Sequence, residues 1–253
     1  NEVKASLIIN NIVYHKTEET YDASTVFSNS KAAVRQSDLL EKHIKRSNEG
    51  RFQKEDAVHG LIFPLQTLSD DIGFEEHNLW VIDERLSYHK YLASDKKFKA
   101  LKELKSESPE RPDIIVFNKP FAFTNEDKPY GSIVLIEFKR PMRDDYTDKE
   151  NPIAQINRYA GEIVSNEVMD KDNRTFDFRE NTPIYAYIIC DLTKNLRKFA
   201  KDAGYKPLPD NDGFFFFNDN YNLYVEIISF DKLIRDSKQR NKVLFEKLNL
   251  PTI

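Results

Sequence analysis

The chain holds a single cysteine among 253 residues, Cys190 in the apolar run "PIYAYIICDL", so no disulfide can form within it. A lone thiol in such a run reads as buried and inert, and a chain without a disulfide framework is expected in a reducing, cytoplasmic setting. The five histidines, at positions 15, 43, 59, 77 and 89, show no zinc-ligand spacing, and one cysteine excludes a Cys-based zinc centre. Seven glycines leave little for loops that cradle phosphates, and no G-x-x-x-x-G-K-[ST], G-x-G-x-x-G or G-x-S-x-G occurs. No apolar stretch approaches the length of a bilayer span, and no signal peptide is visible. Positive charge is not in excess either. Lysine plus arginine number 38 against 42 aspartate plus glutamate, a net charge of -4. No chain-wide basic field therefore advertises a polyanionic partner, and any such site must be a local patch.

What is present is apolar mass and a solvated surface. Hydrophobic residues make up 40% of the chain, with 18 Phe and 12 Tyr, enough to bury a sizeable core. "ASLIINNIVYH" reads as a strand, and "TEETYDASTVFSNSKAAV" as a polar loop. "SDLLEKHIKRSNEG" reads as a capped helix ending near Gly50. In "QKEDAVHGLIFPLQTL", Val58, Leu61, Ile62 and Leu65 share a helical face that Pro64 should end or kink. "HNLWVIDERLSYH" reads as a strand from about Asn78, "SDKKFKALKELKSESPE" as helix or loop, and "RPDIIVFN" as a strand opened by Pro112. A loop, "KPFAFTNEDKPYG", leads to a further strand. "NPIAQINRYAGEIVSN" is a helix with Asn151 as N-cap and Pro152 in its first turn. "PIYAYIICDL" reads as a buried strand, "DGFFFFNDNYNLYVEIISF" as a hairpin turning at "NDN", and the last stretch as a helix apolar at Leu233, Ile234, Leu244 and Leu248. The order helix, strand, strand, strand, helix, strand predicts an α/β fold with a mixed sheet flanked by helices.

One strand is odd. In "IVLIEFKRP", residues 133–141, Ile133, Leu135, Glu137 and Lys139 share one face, while Val134, Ile136 and Phe138 take the other. Both faces are apolar, so a carboxylate and an ammonium at its end must be paired, bound to metal or placed at a cleft. The pattern [DE]-x-K is uninformative alone, since it also occurs at Glu2, Asp95, Glu103, Glu126 and Asp236. Only at Glu137 does it end a buried strand, follow an apolar strand opened by "RPD", and precede a capped helix carrying "QINRY".

Asp113, Glu137-x-Lys139 and Gln155-x-x-x-Tyr159 resemble the PD-(D/E)XK nuclease superfamily over about residues 53–190. The Gln-x-x-x-Tyr addition, with the closing hairpin and helix, is similar to the branch holding Shedu-type phage-defence nucleases. The resemblance implies a restriction-endonuclease-like αβββαβ core and hydrolysis of phosphodiester bonds in nucleic acid, DNA first. It implies Mg²⁺ or Mn²⁺ held by Asp113, Glu137 and the Phe138 carbonyl, with Glu55 the best fit for a further ligand on the first helix. It gives Lys139 the role of orienting water or stabilising charge on phosphorus, and adds Gln155 and Tyr159, one helical turn apart, as positioning groups. It also divides the chain into residues 1–50, an extension or linker, and 51–253, the nuclease-like domain. "HNLWVIDERLSYHKYLASDK" is similar to regions that follow GHKL-type ATPase modules, which sets the expectation of such a module upstream; a homo-oligomer stays open.

Each residue also has a plain structural reading. Asp113 can cap a turn after Pro112, Glu137 and Lys139 can be a simple ion pair, Gln155 and Tyr159 ordinary helix residues, Glu55 a solvated helix-end charge, and His59 a structural histidine. Lys96, Lys97, Lys99, Lys102 and Lys105 can be a solvated face or a phosphate track. A nuclease fold that binds nucleic acid or a partner without cutting, and a regulatory C-terminal module of a larger ATPase, are the rival functions.

Overall fold

The structure, a computed structural model, describes residues 7–9, 12–14, 38–42, 44, 54–73, 76–89, 91–118, 132–169, 175–176 and 182–247. Strands β1 (Leu7–Ile9) and β2 (Ile12–Tyr14) pair antiparallel, and residues 38–42 and 44 are helical. Helix α1 (Glu55–Ile62) carries Glu55 and Asp56 in its first turn, where the helix dipole favours negative charge. It buries Val58 and Ile62 and stops one residue before the proline: Phe63 is extended because the ring of Pro64 disfavours a helical residue in front of it.

A seven-stranded sheet follows, in the order β10-β11-β12-β9-β6-β5-β3. Its strands are β3 (Tyr91–Ser94), β5 (Ile114–Asn118), β6 (Ser132–Phe138), β9 (Ile184–Ile189), β10 (Lys206–Pro207), β11 (Gly213–Asn218) and β12 (Leu223–Ile228). Strand β9 is parallel to both β6 and β12, and the remaining pairs are antiparallel. The sheet is thus mixed and open, and the fold is α/β. Strands β4 (Leu104–Lys105), β7 (Glu167–Met169) and β8 (Thr175–Phe176) make a small separate sheet.

Strand β6 lies inside the sheet, and its two apolar faces each enter a core. Ile133 and Leu135 enter one core with Ile115, Phe117 and Ile188, covered by helix α2 (Pro152–Ser165) through Ile156, Tyr159 and Ala160 and by helix α3 (Lys194–Asp202) through Leu196 and Ala200. Val134, Ile136 and Phe138 enter the other, with Val58 and Ile62 of α1 and Phe230, Leu233 and Ile234 of helix α4 (Phe230–Lys247). Asn151 caps α2 as expected, its side chain accepting from the Ala154 N–H at 2.9 Å. The hairpin β11–β12 turns at the expected "NDN", with Asn222 left-handed at φ 46°. Among the described residues no helix is long and apolar enough to cross a membrane.

Two expectations need correction or sharpening. Residues from Asn78 onward do not form a strand but two 3-10 turns, Leu79–Val81 and Glu84–Tyr88. Leu79, Ile82 and Leu86 are buried at near-helical spacing, and Asp83 binds the Arg85 N–H and guanidinium, local bonds that compete with a strand ladder. The lysine-rich "SDKKFKALKELK" is a loop with one 3-10 turn, Phe98–Ala100, ending in β4. Helix α3 was not foreseen from sequence, because its burial rests on little more than Leu196, Phe199 and Ala200 among charges. The loop at 119–131, His15, His43, Leu248 and the side chain of Leu244 lie outside the described residues.

Candidate functional site

Pairing of β5 with β6 sets Ile114 opposite Ile136, so Asp113, one residue earlier, stands across from Glu137. The Asp113 carboxylate accepts from the Phe138 N–H at 2.7 Å, which holds it against the end of β6. On its other side the Asp95 N–H donates to the Asp113 carbonyl at 2.8 Å, fastening the end of β3. Past β6 the chain stays extended, because the Lys139 N–H donates to the Ile189 carbonyl at 2.9 Å. Lys139 therefore falls on the Glu137 face, and both are buried, 4% and 1% exposed. Its Nζ lies 2.5 Å from Glu137 Oε1 and 3.4 Å from Glu55 Oε1. The second Glu55 oxygen accepts from the Arg140 N–H at 3.1 Å, so α1 docks its first turn onto the end of the central strand. One carboxylate oxygen from each of Glu55, Asp113 and Glu137 lies within 4.8 Å of the others.

The electrostatics of this cluster are unbalanced. Burial pushes the Asp113 carboxyl well above its usual range, the neighbouring Glu137 adds to the rise, and Lys139 and the Phe138 N–H offset only part of it. Burial likewise raises Glu137 despite the Lys139 ammonium beside it. For Lys139 burial works against the charge, yet Glu137, Glu55 and Asp113 outweigh it and hold the ammonium protonated. Three carboxylates thus converge on one ammonium in largely apolar surroundings. The second oxygen of Glu137, Oε2, is buried without a hydrogen-bond partner. A buried carboxylate oxygen left in that state calls for a further positive partner. The donor set is all oxygen, which suits a hard divalent cation such as Mg²⁺ or Mn²⁺ rather than zinc. The residues fit such an ion.

His59 lies one turn after Glu55, with its ring stacked on Phe138 at 5.3 Å between centroids. Its Nε2 is 2.8 Å from Ser94 Oγ, and its Nδ1 is 3.9 Å from Asp113 Oδ1. Burial pushes its pKa down to about 4, more than the nearby acids Asp95 and Asp56 restore. At neutral pH it is an uncharged ring that packs the site and brings no second cation.

Gln155 and Tyr159 do share a face of α2, but they turn inward. The Gln155 amide donates to the Tyr159 hydroxyl at 2.6 Å, and that hydroxyl donates to the Arg111 carbonyl at 3.0 Å. The Gln155 backbone N–H is already bonded to the Asn151 carbonyl at 3.1 Å, so it is not open to an anion. Both therefore act on the chain two residues before Asp113. Arg111 itself pairs with Asp95 at 2.9 Å. Asp95 carries the [DE]-x-K pattern, yet only the long-range pairing of β3 with β5 brings it beside the site; no local signal could have marked it.

Of the basic residues near the motif, Arg143 pairs with Asp145 and Arg158 with Glu110, while Arg140 is exposed. In the lysine run, Lys97, Lys99, Lys102 and Lys105 are exposed around the buried Phe98, Leu101 and Leu104. Cys190 is buried at the end of β9, and burial raises its thiol pKa, as an inert thiol requires. Comparison with family models, with curated proteins and with solved structures finds no match to the chain.

Proposed function

We propose that the chain is a divalent-metal-dependent nuclease that hydrolyses phosphodiester bonds, in DNA first, with phage defence as its setting. The observation that carries this reading is the buried meeting of Glu55, Asp113 and Glu137 with Lys139, leaving one Glu137 oxygen without a partner. The order α1, β3, β5, β6, α2, β9 supports a restriction-endonuclease-like core, and with it the resemblance to the PD-(D/E)XK superfamily and its Shedu-like branch.

Asp113 and Glu137 would hold the ion, Glu55 would complete the oxygen set, and the resemblance adds the Phe138 carbonyl. A bound Mg²⁺ or Mn²⁺ supplies charge neutralisation at phosphorus and a more acidic water. The chain's own part is placement and fixed charge. Lys139, kept protonated by three carboxylates, puts a positive charge beside the point where negative charge grows on the phosphoryl oxygens. His59, neutral and stacked on Phe138, keeps that side of the site dry. Gln155 and Tyr159 fix the Arg111 carbonyl and so the approach of Asp113.

Incubating linear, circular and single-stranded DNA and RNA with the protein in Mg²⁺, Mn²⁺ or EDTA tests the reading directly. Cleavage that EDTA abolishes is the expected result. Intact substrates under every condition would leave the cluster a structural ion group. For the α2 pair, Gln155→Ala removes one hydrogen bond of the chain and Tyr159→Phe removes both, each bond worth roughly 1–3 kcal/mol, or about 5- to 150-fold in rate. Both variants should be slow rather than dead, with Mn²⁺ binding kept, beside an Asn157→Ala control. Single-turnover rates equal to that control would leave the pair as ordinary packing residues.

A further inference from the structure

Helix α3 follows β9 at the end of the sheet where Lys139 bonds to Ile189, so it starts close to the acidic cluster. Its start is tied to the segment that follows Lys139. The Met142 N–H donates to Asp191 at 2.6 Å, Thr193 donates to the Arg143 carbonyl at 3.3 Å, and the Asn195 backbone N–H and amide bond Asp144 at 3.0 and 2.7 Å. That same segment reaches Glu55 through the Arg140 N–H. The helix is amphipathic in an unusual way. Leu196 and Ala200 are buried, and Lys194, Arg197, Lys198 and Lys201 are all exposed.

Their spacing, i, i+3, i+4 and i+7, lines the four cations along one face. Among the described residues none of the four forms an ion pair, whereas Arg85, Arg111, Arg143, Arg158, Lys232, Arg235 and Lys238 all do. Arg197 is partly committed: its Nε donates to the Leu192 carbonyl at 2.9 Å, and its guanidinium lies over the Phe214 ring. A row of unneutralised cations along one helix face presents a local electropositive strip even on a protein of net charge -4, with the exposed Asp202 at its end.

We infer that the exposed face of α3 is a phosphate-backbone track that seats the nucleic acid running into the acidic cluster. The inference rests on the nuclease reading above and names where its substrate lies. Lys194 to Lys201 spans about 10 Å of helix, the reach of about three phosphates along one strand of a duplex. Lysine carries three of the four charges and Arg197 is held by Leu192 and Phe214, so the contact is expected to follow phosphate charge rather than sequence and to be sensitive to salt.

The test is the triple variant Lys194→Glu, Lys198→Glu, Lys201→Glu, which leaves Arg197 and the buried face untouched, with the fold checked by circular dichroism. Binding to a fluorescent duplex is measured in EDTA, so that no hydrolysis intervenes, across a series of salt concentrations. The wild type should bind with an affinity that falls steeply with salt. The variant should bind at least tenfold more weakly, with a log–log slope shallower by about 2 to 3, since each lost phosphate contact removes roughly 0.9. An unchanged slope in the variant, where the wild type cleaves DNA, would overturn the track and leave the nuclease reading standing. Duplex binding that depends on the three lysines, in a protein that hydrolyses nothing, would support the track and overturn the nuclease reading. Wild-type binding to phosphatidylserine vesicles without binding to nucleic acid would overturn the track, making the strip a membrane contact.

Discussion

Glu137→Gln and Asp113→Asn should each abolish metal-dependent hydrolysis without loosening the fold. Both substitutions keep the shape of the side chain and the hydrogen bonds that place it. An asparagine oxygen can still accept from the Phe138 N–H, and a glutamine oxygen from Lys139. What disappears is a negative charge in a cluster where burial already pushes both carboxyls upward. Removing a like charge from such a group relieves repulsion, so the melting temperature in EDTA should hold or rise. Metal stabilisation should go the other way. An ion at 100 times its dissociation constant adds about 2.7 kcal/mol to a protein that binds it only when folded. The wild type should gain this on addition of Mn²⁺, and neither variant should. Loss of the ion from the chemical step costs about 4 kcal/mol or more, roughly a thousandfold in single-turnover rate. Turnover near the wild-type rate in either variant would remove the basis for the nuclease reading.

The parts of this fold that could be read in advance are those whose signals are local. Strand β6 is apolar on both faces and ends in charge, so its burial and the need of its terminal charges for partners were both legible. Helix α2 announces itself through Asn151–Pro152, and the hairpin through "NDN". The parts that escaped depend on contacts between distant segments. Residues 78–88 hold apolar side chains at a spacing that a short window does not separate from a strand; the bonds of Asp83 decide for turns. Asp95 joins the site only because β3 pairs with β5. The candidate site divides in the same way. The meeting of Asp113, Glu137 and Lys139 follows from strand pairing at one end of the sheet, while the Glu55–Lys139 bond needs α1 to dock against a segment far along the chain. Gln155 and Tyr159 were placed on the right face, but helical spacing says nothing about what lies opposite. The Arg111 carbonyl lies there.

Lys139→Met should separate fixed charge from metal binding, because the ammonium neutralises the cluster without being a ligand. In the metal-free protein it is the cation that Glu137 and Glu55 share. Its loss leaves Glu137 buried and uncompensated, a situation that costs about 3–5 kcal/mol when the remaining charge cannot escape. Here it can escape by taking a proton, and the cost should therefore depend on pH. Glu137 already has a folded pKa above its usual value, and without Lys139 that value climbs further. A carboxyl whose folded pKa exceeds its unfolded one contributes stability at low pH and loses it as pH rises through the folded value. The variant should thus melt close to the wild type near pH 5 and fall progressively below it toward pH 8. A simple packing defect would lower the melting temperature equally at both. Added Mn²⁺ supplies the missing positive charge, so calorimetric titration should show binding retained, while hydrolysis falls by about 10²- to 10³-fold for want of the charge beside the phosphoryl oxygens. If Lys139→Met loses Mn²⁺ while Glu137→Gln keeps it, the two residues have been given each other's roles.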